Sequence, residues 1–464
     1  MGRFFGMIVV LAGLLALCVV ASLGFYYAAA GLGALFASWG LPVPYGIAVA
    51  NLVTLILVLV MVPGSLLSVA ERKWSALIQD RVGANRIKVF GNPLGGLPFL
   101  IADAVKMLTK EAFQPAQATR FLFNLAPVLS FAPVLVLFAV VPVGPELPLS
   151  KILPGASAAI GSVGVSLQLA SPDAGLLYIF AISSLAVYGT SLAGWASNNK
   201  LALLGGVRAA SQMISYEVSL GLSLVGTMIA YRTLRLEEMV VAQGQAVLGP
   251  IPAIGLLLQP VGFLVFFTSA FAETKRAPFD LPEGESEIVG YFIEYSGMQF
   301  GLMFLAEFIE ITILSGVIVA IFLGGWHPIL FEETLRANLQ PVWFAAVCAG
   351  SFIGKMIVLM WAQLLVRWVL PRFRFDQIQQ LCWKILLPTA LVNVFVTAAA
   401  VLVDPSLRLL AWIGAVELVA IFAITAAAAR RVPAEAHGHD AHGADSHGAH
   451  GHSDSHGAHA AAGH

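Results

Sequence analysis

The chain has 464 residues, 59% hydrophobic and 11% charged, with a mean hydropathy of +0.86 and a formal net charge of −1. Soluble domains average about 45–50% apolar and about 25% charged residues, so water is not the main solvent for this surface. The class is a polytopic membrane protein; a net charge near zero names no partner, and no nucleic acid is expected. Cys18, Cys348 and Cys382 lie far apart in or beside apolar runs. Without a CxxC pair they argue against an iron–sulfur cluster or structural zinc on this chain, and read as small buried hydrophobes.

A bilayer core needs roughly 20 apolar residues per helix. Ten runs of that kind lie near 5–38, 46–69, 121–142, 174–195, 208–231, 253–272, 298–323, 341–366, 384–402 and 407–429. They are continuously apolar and lack the alternation of a membrane barrel, so the expected fold is all-α with about nine or ten transmembrane helices. The first run has a second reading, because Arg3, an apolar stretch and the small residues 28–30 resemble a cleavable leader. A retained helix is the preferred reading.

Between the second and third runs, residues 70–120 carry eight lysines and arginines. With this loop assigned to the cytoplasm, nineteen basic residues fall on that side and five opposite, with Lys355 inside a span. Both termini are therefore expected to be cytoplasmic. Within the same loop, apolar residues at 97, 99, 100, 101, 104, 105 and 108 share one face, while Asp103, Lys106, Lys110 and Glu111 share the other. That pattern predicts an amphipathic helix lying along the interface with lipid.

Charges within spans are costly, by about 2.5–3.5 kcal/mol on insertion scales, and mark candidate functional groups. Glu217, Glu294, Glu307, Glu310, Lys355 and Glu417 qualify. Glu417 alone reads better as a structural polar contact. Glu217, Glu294, Glu307 and Lys355 together suggest a polar route through the membrane.

Acids also crowd the 272–297 stretch, AETKRAPFDLPEGESEIVGYFIEYSG: with Glu307, seven carboxylates fall within 35 residues. Pro278 and Pro282 end the preceding helix, and Asp280 with Glu283 has the spacing of a capping box that would start the next. In a helix, Glu283, Glu287 and Glu294 would share one stripe. Clustered carboxylates raise one another's pKa, which keeps some able to exchange protons near neutrality. No hydrolytic triad, P-loop or dinucleotide fingerprint is present.

After Arg431 the chain changes character: nine of its ten histidines lie in 432–464 among Gly, Ala, Ser and Asp. This composition buries no core and predicts a disordered tail. Weak metal binding by the imidazoles is the functional reading, and a solvated tail without a specific role the preferred one.

Several strings taken together resemble the H subunit of respiratory complex I, the proton-pumping NADH:quinone oxidoreductase. They are ERKWSALIQDRVGANR (71–86), AGWASNNKLALLGGVRAASQMISYEV (193–218), AETKRAPFDLPEGESE (272–287), IEYSG (293–297), LAEF (305–308), LGGW (323–326) and LPRFRFDQ (370–377). The likeness spans 46–403. Residues 1–45 form an extra helix or leader, 404–431 an extra helix and 432–464 the His-rich tail.

The resemblance implies a bacterial inner-membrane component that helps enclose a quinone chamber and couples quinone reduction to proton translocation. Glu71, Arg72, Asp80 and Arg81 would line its entrance and floor. Arg208, Glu273, Asp280, Glu283, Glu285 and Glu287 would form a charged wall, and Glu217, Glu294, Glu307 and Lys355 a proton route. Arg372, Arg374 and Asp376 would lie nearby. Quinone would be the substrate, with iron–sulfur clusters and FMN held only by partners. Those partners would be peripheral quinone-site subunits and antiporter-like membrane subunits, besides lipid. Strictly catalytic residues are not expected here. Many members carry His where this chain has Phe292, and often Pro where it has Ala84. The alternative is the related membrane anchor of a nickel–iron hydrogenase. A stand-alone transporter would show paired internal repeats, and none is evident.

Overall fold

The computed structural model describes residues 2–88, 91–92, 94–155, 158–248, 251–284, 287–328 and 332–430. Glu285 and the His-rich tail, residues 432–464, lie outside the described residues. The described chain is almost entirely helical, apart from two small antiparallel ladders, Leu147–Pro148 with Gly164–Val165 and Ala246–Leu248 with Ile251–Pro252. We number the principal helices α1 (Gly2–Ser38), α2 (Val43–Ile78), α3 (Leu97–Thr109), α4 (Arg120–Val140), α5 (Gly175–Ala196) and α6 (Lys200–Tyr231). They continue as α7 (Pro260–Glu273), α8 (Gly297–Phe322), α9 (Pro341–Val369), α10 (Phe375–Val403) and α11 (Arg408–Arg430). All but α3 and α7 are long and apolar enough to cross a membrane: nine candidate spans among the described residues.

The all-α membrane fold expected from hydropathy is therefore what forms, and α3 is the expected amphipathic helix. The chain divides into a main unit, Met1–Glu417, and Leu418–His464, whose described part is the last stretch of α11.

Within the main unit α8 is the axis. From Ala306 to Phe322 every residue is buried, and α2, α4 and α9 all pack on it. Gly64 lets α2 close on α8: a Cβ there would meet Ile309 Cγ1 at 2.9 Å and Ile309 Cα at 3.3 Å. This contact brings Glu71, two turns further along α2, alongside Glu307 of α8. Three buried cysteines remain free thiols, as small hydrophobes would.

The run expected as a span over 253–272 is instead broken and short. A single turn, Gly255–Leu258, is separated from α7 by Gln259, whose backbone leaves the helix at φ −141° and ψ 59°. The 14 residues of α7 extend about 21 Å, less than the ~30 Å hydrocarbon layer. A break inside lipid exposes helix-end amides and carbonyls that must find partners. The Gln259 side chain donates to Thr397 Oγ1 (2.6 Å) and accepts from Asn393 Nδ2 (2.6 Å), both on α10. The Glu417 carboxylate accepts from the Val261 N–H in the first turn of α7. Gly414 makes the approach possible, since a Cβ there would lie 1.8 Å from the Leu257 carbonyl oxygen. Glu417 is thus a structural acceptor for a helix start.

The segment after α7 also departs from expectation. The capping box at Asp280 and Glu283 does not form, and no helix follows it. Leu281–Glu283 is one 3-10 turn, and α8 begins only at Gly297. Gly284 ends the turn at φ −53° and ψ 80°, and positive φ at Val289 (67°) and Gly290 (125°) takes the backbone out of the helical region. The Asp280 carboxylate pairs with Arg372 (2.9 Å) instead of capping. Glu283, Glu287 and Glu294 therefore share no stripe, and each meets a different partner.

Gln259→Ala removes two buried hydrogen bonds and strands Asn393. Interhelical bonds in membranes are worth about 0.6 kcal/mol and at most about 1.7 each, so a loss of about 1–2 kcal/mol is expected. Thermal unfolding of the detergent-purified chain measures it. Glu417→Gln, which keeps an acceptor, should hold the wild-type Tm, whereas Glu417→Ala should lower it.

Candidate functional site

Where α7 ends, the chain turns back through Thr274–Ala277 with Lys275 at φ 56°. The turn is pinned from α6, whose Gln212 Nε2 donates to the carbonyls of Ala272 (2.7 Å) and Phe279 (2.9 Å). Its two basic residues are buried, Lys275 at 5% and Arg276 at 7% exposure. An unpaired buried cation would cost several kcal/mol, and both have carboxylate partners. Arg276 reaches Glu71 of α2 at 2.5 Å and Glu307 of α8 at 3.8 Å, and its guanidinium lies 3.8 Å over the Phe308 ring. Arg367, near the end of α9, pairs with the other oxygen of Glu71. Lys275 faces Glu310 of α8 at 4.0 Å. Burial alone would lower the Lys275 pKa, but Glu310, Glu307, Glu283 and Glu273 outweigh it and hold the ammonium above its ordinary value.

Around this network lies a cavity of about 230 Å³. Seven charged residues line it: Glu71, Arg72, Arg276, Asp280, Glu283, Glu307 and Arg367. An aromatic wall of Phe292, Phe300, Phe304 and Phe308 meets them where Arg276 lies over Phe308. Successive ring centroids along that wall are 5.4, 5.9 and 5.0 Å apart. The last three rings follow from sequence, because positions four apart share a helix face.

Two further spaces adjoin. One, about 520 Å³, shares Glu71 and Arg72 and is walled by the 81–86 loop. The other, about 190 Å³, is an apolar slot between α3 and α8. Leu100, Ala104, Met107 and Leu108 line one side of the slot, and it shares Ser68, Phe304 and Phe308 with the charged cavity. Arg72 ties α3 in place through Asp103 at 2.7 Å.

Of the residues singled out from sequence, Glu71, Arg72, Asp280, Glu283 and Glu307 meet at the main cavity, and Arg81 lines the outer one. Glu273 is buried beside it, flanked by Glu310, Glu217 and Lys275 and hydrogen-bonded to Ser183. Arg208 pairs with Glu287 at 2.9 Å on a more exposed rim, and that bond holds the Glu287 carboxyl below its ordinary pKa. Glu294 accepts from Asn199 Nδ2 (2.7 Å) at the start of α6. Arg374 pairs with Asp376 at 3.3 Å on the surface. Asp80, at φ 51° on the exposed turn closing α2, lines neither cavity.

Lys355 stands apart from the cluster. Its amine donates to the carbonyls of Leu323 (2.8 Å), Gly325 (3.0 Å) and His327 (2.6 Å) just past the end of α8, where a cation suits the helix dipole.

Sequence reasoning takes Lys275, Arg276 and Arg367 only as markers of orientation, and leaves Glu310 out of the route. A basic residue at the end of one span and an acid at the end of another is the available signal. It needs the packing of α2, α8 and α9 to become a pair. Tyr291, whose hydroxyl donates to Glu307 at 3.4 Å, and Phe292 escape it altogether, whereas the spacing of Phe300, Phe304 and Phe308 is available in the sequence.

Burial pushes the Glu283 carboxyl well above its ordinary pKa, and Glu307, which faces it within hydrogen-bonding reach, adds to the rise. Below the ordinary carboxylate range Glu283 is protonated both folded and unfolded. Above it the unfolded chain ionises first, so stability falls as pH rises towards the raised folded value. Tm should therefore drop as pH is raised out of the ordinary carboxylate range, and Glu283→Gln should flatten that slope. An unchanged slope in the variant would contradict the assignment.

The sequence model of the family described as NADH dehydrogenase matches residues 50–398. The chain is similar to H subunit 1 of the NADH-quinone oxidoreductase of Geobacter metallireducens, 43% identical over 347 residues, covering 74% of this chain and 94% of the relative. It is also 43% identical to H subunit 2 of the Syntrophobacter fumaroxidans enzyme over 350 residues, 75% of this chain and 94% of that one. H subunit 1 from Cytophaga hutchinsonii is 38% identical over 363 residues, 78% and 99% of the two chains. The chain belongs to the NADH dehydrogenase family as an H subunit, a multi-pass membrane component of the NADH:quinone oxidoreductase complex.

Proposed function

We propose that this subunit forms the membrane-side wall of a quinone chamber closed by peripheral partner subunits, and that it passes the charge change of quinone reduction into its buried carboxylates. The observation that carries this reading is the continuity of the apolar slot between α3 and α8 with the charged cavity through Ser68, Phe304 and Phe308. A long-tailed quinone partitions into lipid, and a slot facing an interfacial helix is where such a molecule would leave it. The ring would then travel along an aromatic wall towards donors.

Reduction of the quinone takes two electrons, from an iron–sulfur cluster in a partner subunit, and two protons. FMN likewise belongs to partners on this reading. Negative charge arriving on the head group competes with Glu71 and Glu307 for Arg276 and Arg367. Loosening either ion pair alters the field on Glu283, Lys275 and Glu310. Glu273 and Glu217 then continue the series of groups away from the cavity towards antiporter-like partners. Glu287, Glu294 and Arg208 belong to the chamber's outer rim. Lys355 has its three donors on carbonyls and acts as a clamp on the end of α8. The basic 70–120 loop and the charged rim face the cytoplasm in this assignment, with both termini on that side of a bacterial inner membrane. Residues 1–45 and 404–431 are additions to the 46–403 core.

Two measurements on the assembled complex test the reading. Glu217→Gln should leave assembly intact but lower NADH-driven proton pumping by about tenfold or more, since a positioned proton carrier contributes ~10²–10⁴-fold; normal pumping would remove Glu217 from the route. Ala104→Trp fills the slot and should raise KM for a long-tailed quinone several-fold more than for a tail-less one. Equal effects on both would place the entrance elsewhere.

A further inference from the structure

Phe292 is the ring that the segment before α8 adds to the aromatic wall. Gly290, at φ 125°, turns the chain so that Phe292 enters the cavity, and the ring passes 3.3 Å from where a Gly290 Cβ would stand. Phe292 packs edge-on against Phe300 at 5.4 Å and against Tyr291 at 5.0 Å. The face of Phe308 is already covered by Arg276, so Phe292, Phe300 and Phe304 are the rings left for an occupant. These three offer no hydrogen-bond donor. Next to them Arg276, which also lines the cavity, keeps a buried Nε–H without an acceptor, a donor suited to a carbonyl oxygen.

This asymmetry discriminates between quinone head groups. A benzoquinone bearing two methoxy groups would press ether oxygens against hydrocarbon, and buried acceptors without donors cost affinity. A fused naphthoquinone presents only a C–H-edged ring to the same wall and gains aromatic contact there. Both kinds offer a carbonyl to Arg276, so that donor does not separate them.

We infer that Phe292 is a specificity-determining residue that selects naphthoquinones over methoxy-substituted benzoquinones on the way to the reduction site. The inference rests on reading this cavity as the quinone passage. Because the ring is sensed in passage, selection should appear in KM, with kcat much less affected.

The test uses the purified complex with NADH as donor and two tail-less acceptors, 2,3-dimethyl-1,4-naphthoquinone and 2,3-dimethoxy-5,6-dimethyl-1,4-benzoquinone, with ferricyanide as a control that needs no quinone site. The wild-type complex should show a kcat/KM ratio favouring the naphthoquinone. Phe292→His should shift that ratio about tenfold towards the benzoquinone, equivalent to about 1.4 kcal/mol. Phe292→Leu, which keeps an apolar side chain but removes the ring, should weaken the naphthoquinone several-fold without helping the benzoquinone. A wild-type ratio near one or favouring the benzoquinone overturns the inference while leaving the chamber intact. A ratio unmoved by both substitutions does the same. Ferricyanide reduction with neither quinone accepted would overturn the chamber reading itself.

Discussion

Everything at the basic end of this protein depends on Arg276 being buried between two carboxylates. At 7% exposure, a guanidinium without partners would cost several kcal/mol, and the attraction of a close pair offsets that only with good geometry. Glu71 and Glu307 supply it from α2 and α8, and Arg367 engages the remaining oxygen of Glu71 from α9. Three spans and the turn after α7 are thereby tied at one point. Each charge is tolerable only because the others are in register, so the site and the packing at this end form a single cooperative unit.

That register depends in turn on backbone placed where hydropathy alone would not put it. α7 is too short to span, and its displaced start is satisfied by Gln259, Asn393, Thr397 and Glu417. Its other end delivers Glu273, Lys275 and Arg276 together. Irregular backbone in a membrane protein persists where protein, and not lipid, meets its polar groups. Here α6, α10 and α11 do so, which allows the 274–296 segment to form a turn-rich wall.

The fold is legible where one-dimensional signals suffice. Continuous apolar runs yield nine of the spans, and the 3.6-residue pattern yields α3. The run over 253–272 misleads because Gln259 and Pro260 look harmless in a hydropathy window, yet set both a break and a helix start. The acidic segment misleads because capping-box spacing is a local signal. Gly284, Val289 and Gly290 override it, and Arg372, nearly a hundred residues on, claims Asp280. In the site, acids stand out because carboxylates are rare in apolar runs. Their cations do not, since arginine at a helix end equally serves orientation, and only the contacts of α2, α8 and α9 separate the two roles.

The charge balance of the network decides where protons are held. Glu71, Glu273, Glu283, Glu307 and Glu310 face Lys275, Arg276 and Arg367, five carboxyls against three cations among the described residues. In a low-dielectric interior uncompensated charge is expensive, so carboxyls in excess of their cations favour the protonated form. Glu283, raised by burial and by Glu307, is the carboxyl outside the spans best suited to hold a proton. The aromatic wall takes no part in that balance, having nothing to titrate. Phe308 alone of the four rings touches the network, lying under the Arg276 guanidinium at 3.8 Å.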